Sequence, residues 1–114
     1  MKTAVVSNKP DYGVQILCRR HFDGLFDCTG GVKEGIRRKP APDSVNAVLR
    51  QLHIEKDRAV YIGDSEVDLE TAANAEMDCI SVDWGFRDRE FLVQAGAAAI
   101  ASDSADLEKL LFDI

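Results

Sequence analysis

Strand-like and helix-like stretches alternate along this sequence, which predicts an α/β fold. The expected form is a doubly wound, Rossmann-like parallel sheet of about five strands with helices on both faces. Three observations carry the prediction. Five short runs suited to β-strands recur along 114 residues. Between them, apolar residues repeat at helical spacing. Gly, Pro, Ser and Asp stand at the junctions, where turns and helix starts need them. Right-handed crossovers between parallel strands then leave few topologies.

The first run is TAVVS, 3–7. Pro10 suits the first turn of a helix, where its missing N–H costs nothing. Val14, Leu17 and Cys18 follow at helical spacing. The second run, FDCTGG at 26–31, is weak and leads into the basic loop VKEGIRRKPAPD. Pro42 opens a second helix with Val45, Val48, Leu49 and Leu52 on one face. The third run, AVYIGD at 59–64, enters a helix with Leu69, Ala72 and Ala73 facing inward. CISVDWG, 79–85, is the fourth, and the helix around REFLVQA after it stops at Gly96. The fifth is AAAIAS, 97–102, and the last helix carries Leu107, Leu110 and Leu111. No repeat, low-complexity tract or linker interrupts the series.

Composition narrows the partners. Twenty acidic residues against fourteen basic ones leave a net charge of -6. That balance argues against nucleic acid and against an anionic membrane surface, and it suits a site for a cation. Three cysteines, with no C-x-x-C pair, read as reduced thiols in a cytoplasmic protein. No apolar run reaches the ~18 residues of a membrane span. The apolar stretch near Met1 is too short for a signal peptide.

In a doubly wound sheet, ligands lie beyond the carboxyl ends of the strands. The first three strands are followed by Ser7 and Asn8, by the loop holding Lys39, and by Gly63, Asp64, Ser65 and Asp68. A hydroxyl, a lysine and a carboxylate pair together suit a phosphate group with a divalent cation. Each motif also has a local structural use. Ser7 or Asn8 can cap the first helix. Basic runs such as RRK are commonly solvated surface. Ser65 can cap the third helix with Asp68 at the third helical position, an acidic variant of the capping box. Yet Gly63 permits a sharp turn that sets Asp64 at the crest of the sheet. Hard carboxylate oxygens there suit Mg²⁺. The prolines flanking Ala41 stiffen the loop and can aim Lys39 at a fixed point. His21 and His53 have no ligand spacing.

Strand-Ser-Asn, Lys-Pro and strand-Gly-Asp-x-x-x-Asp, in that order, resemble the motifs of the haloacid dehalogenase superfamily of phosphohydrolases. SNK, RRKPAPD, YIGDSEVDLETA and WGFRDRE…AGA look most like its phosphoglycolate phosphatase branch, over nearly the whole chain. The resemblance implies phosphate binding by Ser7, with Asn8 beside the substrate. It implies that Lys39 neutralises the nucleophile and phosphoryl oxygens. It implies Mg²⁺ held directly by Asp64 with Asp68 in support, and a small phosphorylated metabolite as substrate.

One motif is missing from these residues. The resemblance implies an Asp-x-Asp pair after an N-terminal strand, its first Asp attacking phosphorus and its second serving as acid and base. No such pair follows an apolar strand near the start, and Asp83 is followed by Gly85 where a second acid belongs. The cap domain between the first two motifs is missing too. Residues 1–114 therefore read as a single partial core domain, with weak Mg²⁺ binding and no turnover alone. Losing a central strand leaves a gap. Its closure gives strand order 2-1-3-4-5, and self-association through the gap is the alternative. A non-catalytic phosphate- or Mg²⁺-binding module, or a complementing subunit, is a second reading. A signalling receiver domain is a third, but it needs an acidic pair and a lysine where this sequence has Ser7-Asn8 and Ala101-Ser102.

Overall fold

The computed structural model describes residues 1–112. Its packing divides into two units, Met1–Glu55 and Lys56–Ile114.

The first unit runs β1 (Ala4–Pro10), α1 (Asp11–His21), β2 (Cys28–Val32) and α2 (Asp43–Leu52). β1 and β2 are parallel, with Ala4 opposite Cys28, Val5 opposite Thr29 and Val6 opposite Gly30. Pro10 ends the strand rather than entering the helix. Its φ of −54° and ψ of 141° are extended, and α1 starts one residue later. Val14 is buried from α1, but Leu17 points outward. Polar contacts take part of the inner face instead. Gln15 accepts the Thr29 hydroxyl at 2.9 Å and donates to the Thr29 carbonyl at 3.0 Å. Gly31 lets the start of α1 lie against β2, since a Cβ there would stand 2.7 Å from Val14 Cγ2. α2 buries Val45 and Val48 as its periodicity predicts. It closes on His53 in the left-handed conformation.

The second unit opens with a 3₁₀ turn, Lys56–Arg58. It continues through β3 (Val60–Gly63), α3 (Glu66–Asn74), β4 (Asp78–Val82), α4 (Arg89–Gln94), β5 (Ile100–Ala101) and α5 (Ser104–Phe112). β3, β4 and β5 form a parallel sheet in that order. Ile80, Val82 and Ala101 make its core, with Ala99, Leu107 and Leu111 packed against them. Leu92 of α4 is fully buried. Such burial contributes roughly 2 kcal/mol. On α3, Ala72 is buried but Ala73 faces outward, and Thr71 lies inside instead. Its hydroxyl donates to the Val67 carbonyl at 2.6 Å, which makes that burial tolerable.

The α/β class and the parallel strands hold. The ladders of the described residues are β1-β2 in the first unit and β3-β4-β5 in the second. The cysteines are free thiols, Cys28 buried and the others half-buried. No helix among the described residues is long and apolar enough to cross a membrane.

Candidate active site

The candidate residues fall into two sets, one in each unit. Ser7, Asn8 and Lys39 belong to the first. Asn8 lies near the carboxyl end of β1 and grips the lysine loop by its backbone. Its Oδ1 accepts the Lys39 N–H at 2.7 Å, and its Nδ2 donates to the Lys39 carbonyl at 3.4 Å. Lys39 is thereby brought to the end of the strand that carries Ser7. Ser7 Oγ accepts the Lys9 N–H at 3.1 Å. Neither Ser7 nor Asn8 caps α1, whose start has no side-chain cap. The local alternative for this pair is therefore unused. The Ser7 hydroxyl proton has no acceptor among the described residues, so it remains available to an anion.

Two further side chains shape this set. Asp11 Oδ1 accepts the Gly31 N–H at 3.0 Å and fixes the end of β2 against the start of α1. Arg37 grips Asp43 with Nε at 3.1 Å and Nη2 at 2.9 Å, setting the lysine loop onto the first turn of α2. The guanidinium hydrogen bond holds the Asp43 carboxyl below its ordinary range. Asp11 has no role in the sequence analysis. Its link to Gly31 spans twenty residues and leaves no local pattern.

In the second unit, Asp64 and Asp68 are adjacent but turned to different tasks. Asp68 is buried, and both of its oxygens face the protein. Oδ1 accepts the Tyr61 hydroxyl at 2.7 Å. Oδ2 accepts the Asp64 N–H at 3.0 Å and the Ser65 hydroxyl at 3.2 Å. The capping box expected at Ser65 is thus shifted by one residue. Asp68 takes the backbone N–H of Asp64 rather than that of Ser65, and Ser65 makes no side-chain cap. The hydroxyl donates instead to a carboxylate, which makes the stronger bond. Gly63 leaves room for this, because a Cβ there would lie 2.6 Å from Asp68 Oδ2. Burial first, then the bond to Asp68, pushes the Tyr61 phenol far above its usual range. It stays a donor at any physiological pH.

Asp64 is held from its other side by the β4–α4 loop. Its Oδ2 accepts the Phe86 N–H at 3.1 Å, and its main-chain carbonyl accepts the Arg87 N–H at 3.1 Å. Its Oδ1 accepts no hydrogen bond among the described residues. A Cβ on Gly85 would stand 2.6 Å from Asp64 Cβ, so a glycine lets the loop lie this close. In the sequence, WGFR belongs to the family resemblance and carries no role of its own.

This donor set suits hydrated Mg²⁺, which takes one or two carboxylates and keeps several waters. Asp64 supplies an open oxygen, and Asp68 braces the turn that presents it. Among the described residues no three His, Cys, Asp or Glu gather into a metal cage. A metal wanting an all-protein cage would not fit, whereas one that shares substrate oxygens would.

Comparison with known proteins bears on the family of this chain. The profile of the haloacid dehalogenase-like hydrolase family matches residues 1–82. The chain is 32% identical over 109 residues to a phosphoglycolate phosphatase of Rhodospirillum rubrum, covering 94% of this chain and 44% of that one. It is 29% identical over 92 residues to the pyrophosphatase PpaX of Listeria welshimeri, covering 81% of this chain and 42% of the other. A crystal structure from Lactobacillus delbrueckii subsp. bulgaricus, with a provisional phosphoglycolate phosphatase assignment, superposes with a TM-score of 0.95. It is 50% identical and covers 96% of this chain and 46% of that one. The chain spans about half the length of the curated relatives it matches. With the Gly-Asp-x-x-x-Asp turn, the lysine loop clasped to β1 and a family profile over 82 residues, this chain belongs to the haloacid dehalogenase-like hydrolases.

Proposed function

We propose that these 114 residues are part of the catalytic core of a Mg²⁺-dependent phosphomonoester hydrolase acting on a small phosphorylated metabolite. The observation that carries the reading is Asp64, braced on both sides with one carboxylate oxygen left open. Ser7 and the backbone near it bind a phosphoryl oxygen, Asn8 holds the lysine loop, and Lys39 neutralises phosphoryl charge. Asp64 and, through its turn, Asp68 would hold the metal. Bound Mg²⁺ supplies Lewis-acid neutralisation of the phosphoryl oxygens. The names of the relatives support a phosphate ester such as phosphoglycolate, with pyrophosphate as the competing substrate.

The residues here supply the phosphate and metal side of the reaction but no Asp-x-Asp nucleophile. We therefore expect the chain to bind orthophosphate with Mg²⁺ weakly and not to turn over by itself. Amide NMR of the labelled chain tests the binding. Mg²⁺ should shift signals near Asp64, and phosphate those of Ser7 and Asn8, with the Mg²⁺ shifts lost in Asp64→Asn. No Mg²⁺ shift near Asp64 would overturn the metal assignment. Phosphoglycolate hydrolysis that scales with protein and vanishes in Asp64→Ala would overturn the expectation of inactivity.

A further inference from the structure

The β4–α4 loop carries contacts that phosphate binding does not need. Glu66, two residues after Asp64, meets Arg87 in a two-pronged ion pair: Nε to Oε2 and Nη2 to Oε1, both at 3.0 Å. The guanidinium lies over the Phe86 ring at 4.5 Å and the Phe91 ring at 4.3 Å. Phe86 and Arg87 are the residues whose N–H groups hold Asp64. We propose that Arg87 is a positioning residue for the Asp64 carboxylate. Its ion pair with Glu66 latches the β4–α4 loop onto the Asp64 turn, so that one carboxylate oxygen is fixed and the other faces the metal. The proposal rests on the reading of Asp64 as the metal carboxylate.

The geometry separates this pair from ordinary surface ion pairs, which contribute little. Both prongs are engaged, and the guanidinium also lies over two aromatic rings, a combination a lysine could not reproduce. Each partner sits next to what it controls. Glu66 lies on the first turn of α3, beside Asp64, and Arg87 lies within the strip of backbone that donates to Asp64. α4 is docked independently by buried Leu92, and its start is capped by Asp88, which accepts the Phe91 N–H at 2.9 Å. Losing the latch should therefore free the loop without undocking α4. Outer partners that orient a metal ligand typically change metal affinity 10–100-fold when removed.

The test uses the ¹⁵N-labelled chain with Mn²⁺ as the probe, in wild type, Arg87→Gln, Glu66→Gln and the exchanged pair Glu66→Arg/Arg87→Glu. Without metal, the single variants should exchange the Phe86 and Arg87 amides at least about tenfold faster, while the Leu92 amide keeps its protection. With Mn²⁺, wild type should show broadening centred on Asp64. The single variants should need about tenfold more Mn²⁺ for the same effect, and the exchanged pair should recover part of the loss. Amides that stay protected in the single variants, or a freed loop with unchanged Mn²⁺ affinity, would overturn the latch alone. Wild type without broadening near Asp64 would overturn the metal reading and the latch with it. If Leu92 also loses protection, the exchanged pair decides: recovered Mn²⁺ affinity upholds the pairing, and no recovery overturns it.

Discussion

Tyr61→Phe removes one oxygen and nothing else from the second unit. That oxygen donates to Asp68 Oδ1 at 2.7 Å, and both residues are 6% exposed. The phenyl ring keeps its packing, so the cost is that of a hydrogen bond to a buried charged group, about 1.5–3 kcal/mol. With a urea dependence of about 2 kcal/mol/M, the midpoint should fall by roughly 1 M. Trp84, the sole tryptophan, lies in the same unit and reports its unfolding by fluorescence. Asp68→Asn and the double variant complete a cycle whose coupling should exceed about 1 kcal/mol, because the two groups share one bond. A Tyr61→Phe effect below about 0.5 kcal/mol, or additive single effects, would refute the view that Asp68 is braced by this phenol.

Two other perturbations follow from the geometry. Gly85→Ala drives a methyl into the Asp64 side chain; it should cost about 1–3 kcal/mol and abolish the Asp64-dependent metal effect, both read on the labelled chain. Unchanged stability and metal response would show that the loop does not press on Asp64. Acid should loosen the start of α2. The hydrogen bond from Arg37 lowers the folded-state value for Asp43, so its contribution is present above the unfolded value and is lost as pH falls through the folded one. Carboxyl ¹³C titration should place the Asp43 midpoint below the ordinary value of 3.8, and Arg37→Gln should raise it. A midpoint unmoved by that substitution would remove Arg37 as the cause.

Local patterns made much of this molecule legible. The α2 stripe of Val45 and Val48, the Gly96 stop and the Gly63–Asp64 turn follow from periodicity and turn chemistry, and the structure has them. The misses share a cause. Ala72 and Ala73 are alike in composition, so the pattern could not say which faces inward, and Thr71 reads as polar until its bond to Val67 is seen. AAAIAS yields a strand of only Ile100–Ala101, because small residues carry little strand preference. Within the candidate site, the candidate residues were visible in the sequence but their supports were not. Asp11 to Gly31 and Glu66 to Arg87 join positions about twenty residues apart. No window of sequence contains both ends of such a bond.

The grip of Asn8 on Lys39 has a consequence for how this loop can vary. One side-chain amide gives and takes a hydrogen bond with a single residue's backbone, as a neighbouring strand would. The address of Lys39 is therefore written partly in β1, beside the anchor that Arg37 makes on Asp43. Lys33 to Gly35 can lengthen, shorten or change charge while Lys39 keeps its place, provided the chain still reaches Asn8. Replacing Asn8 by Asp removes the donor to the Lys39 carbonyl and keeps the acceptor for its N–H, so it would halve the clasp of β1 on this residue's backbone.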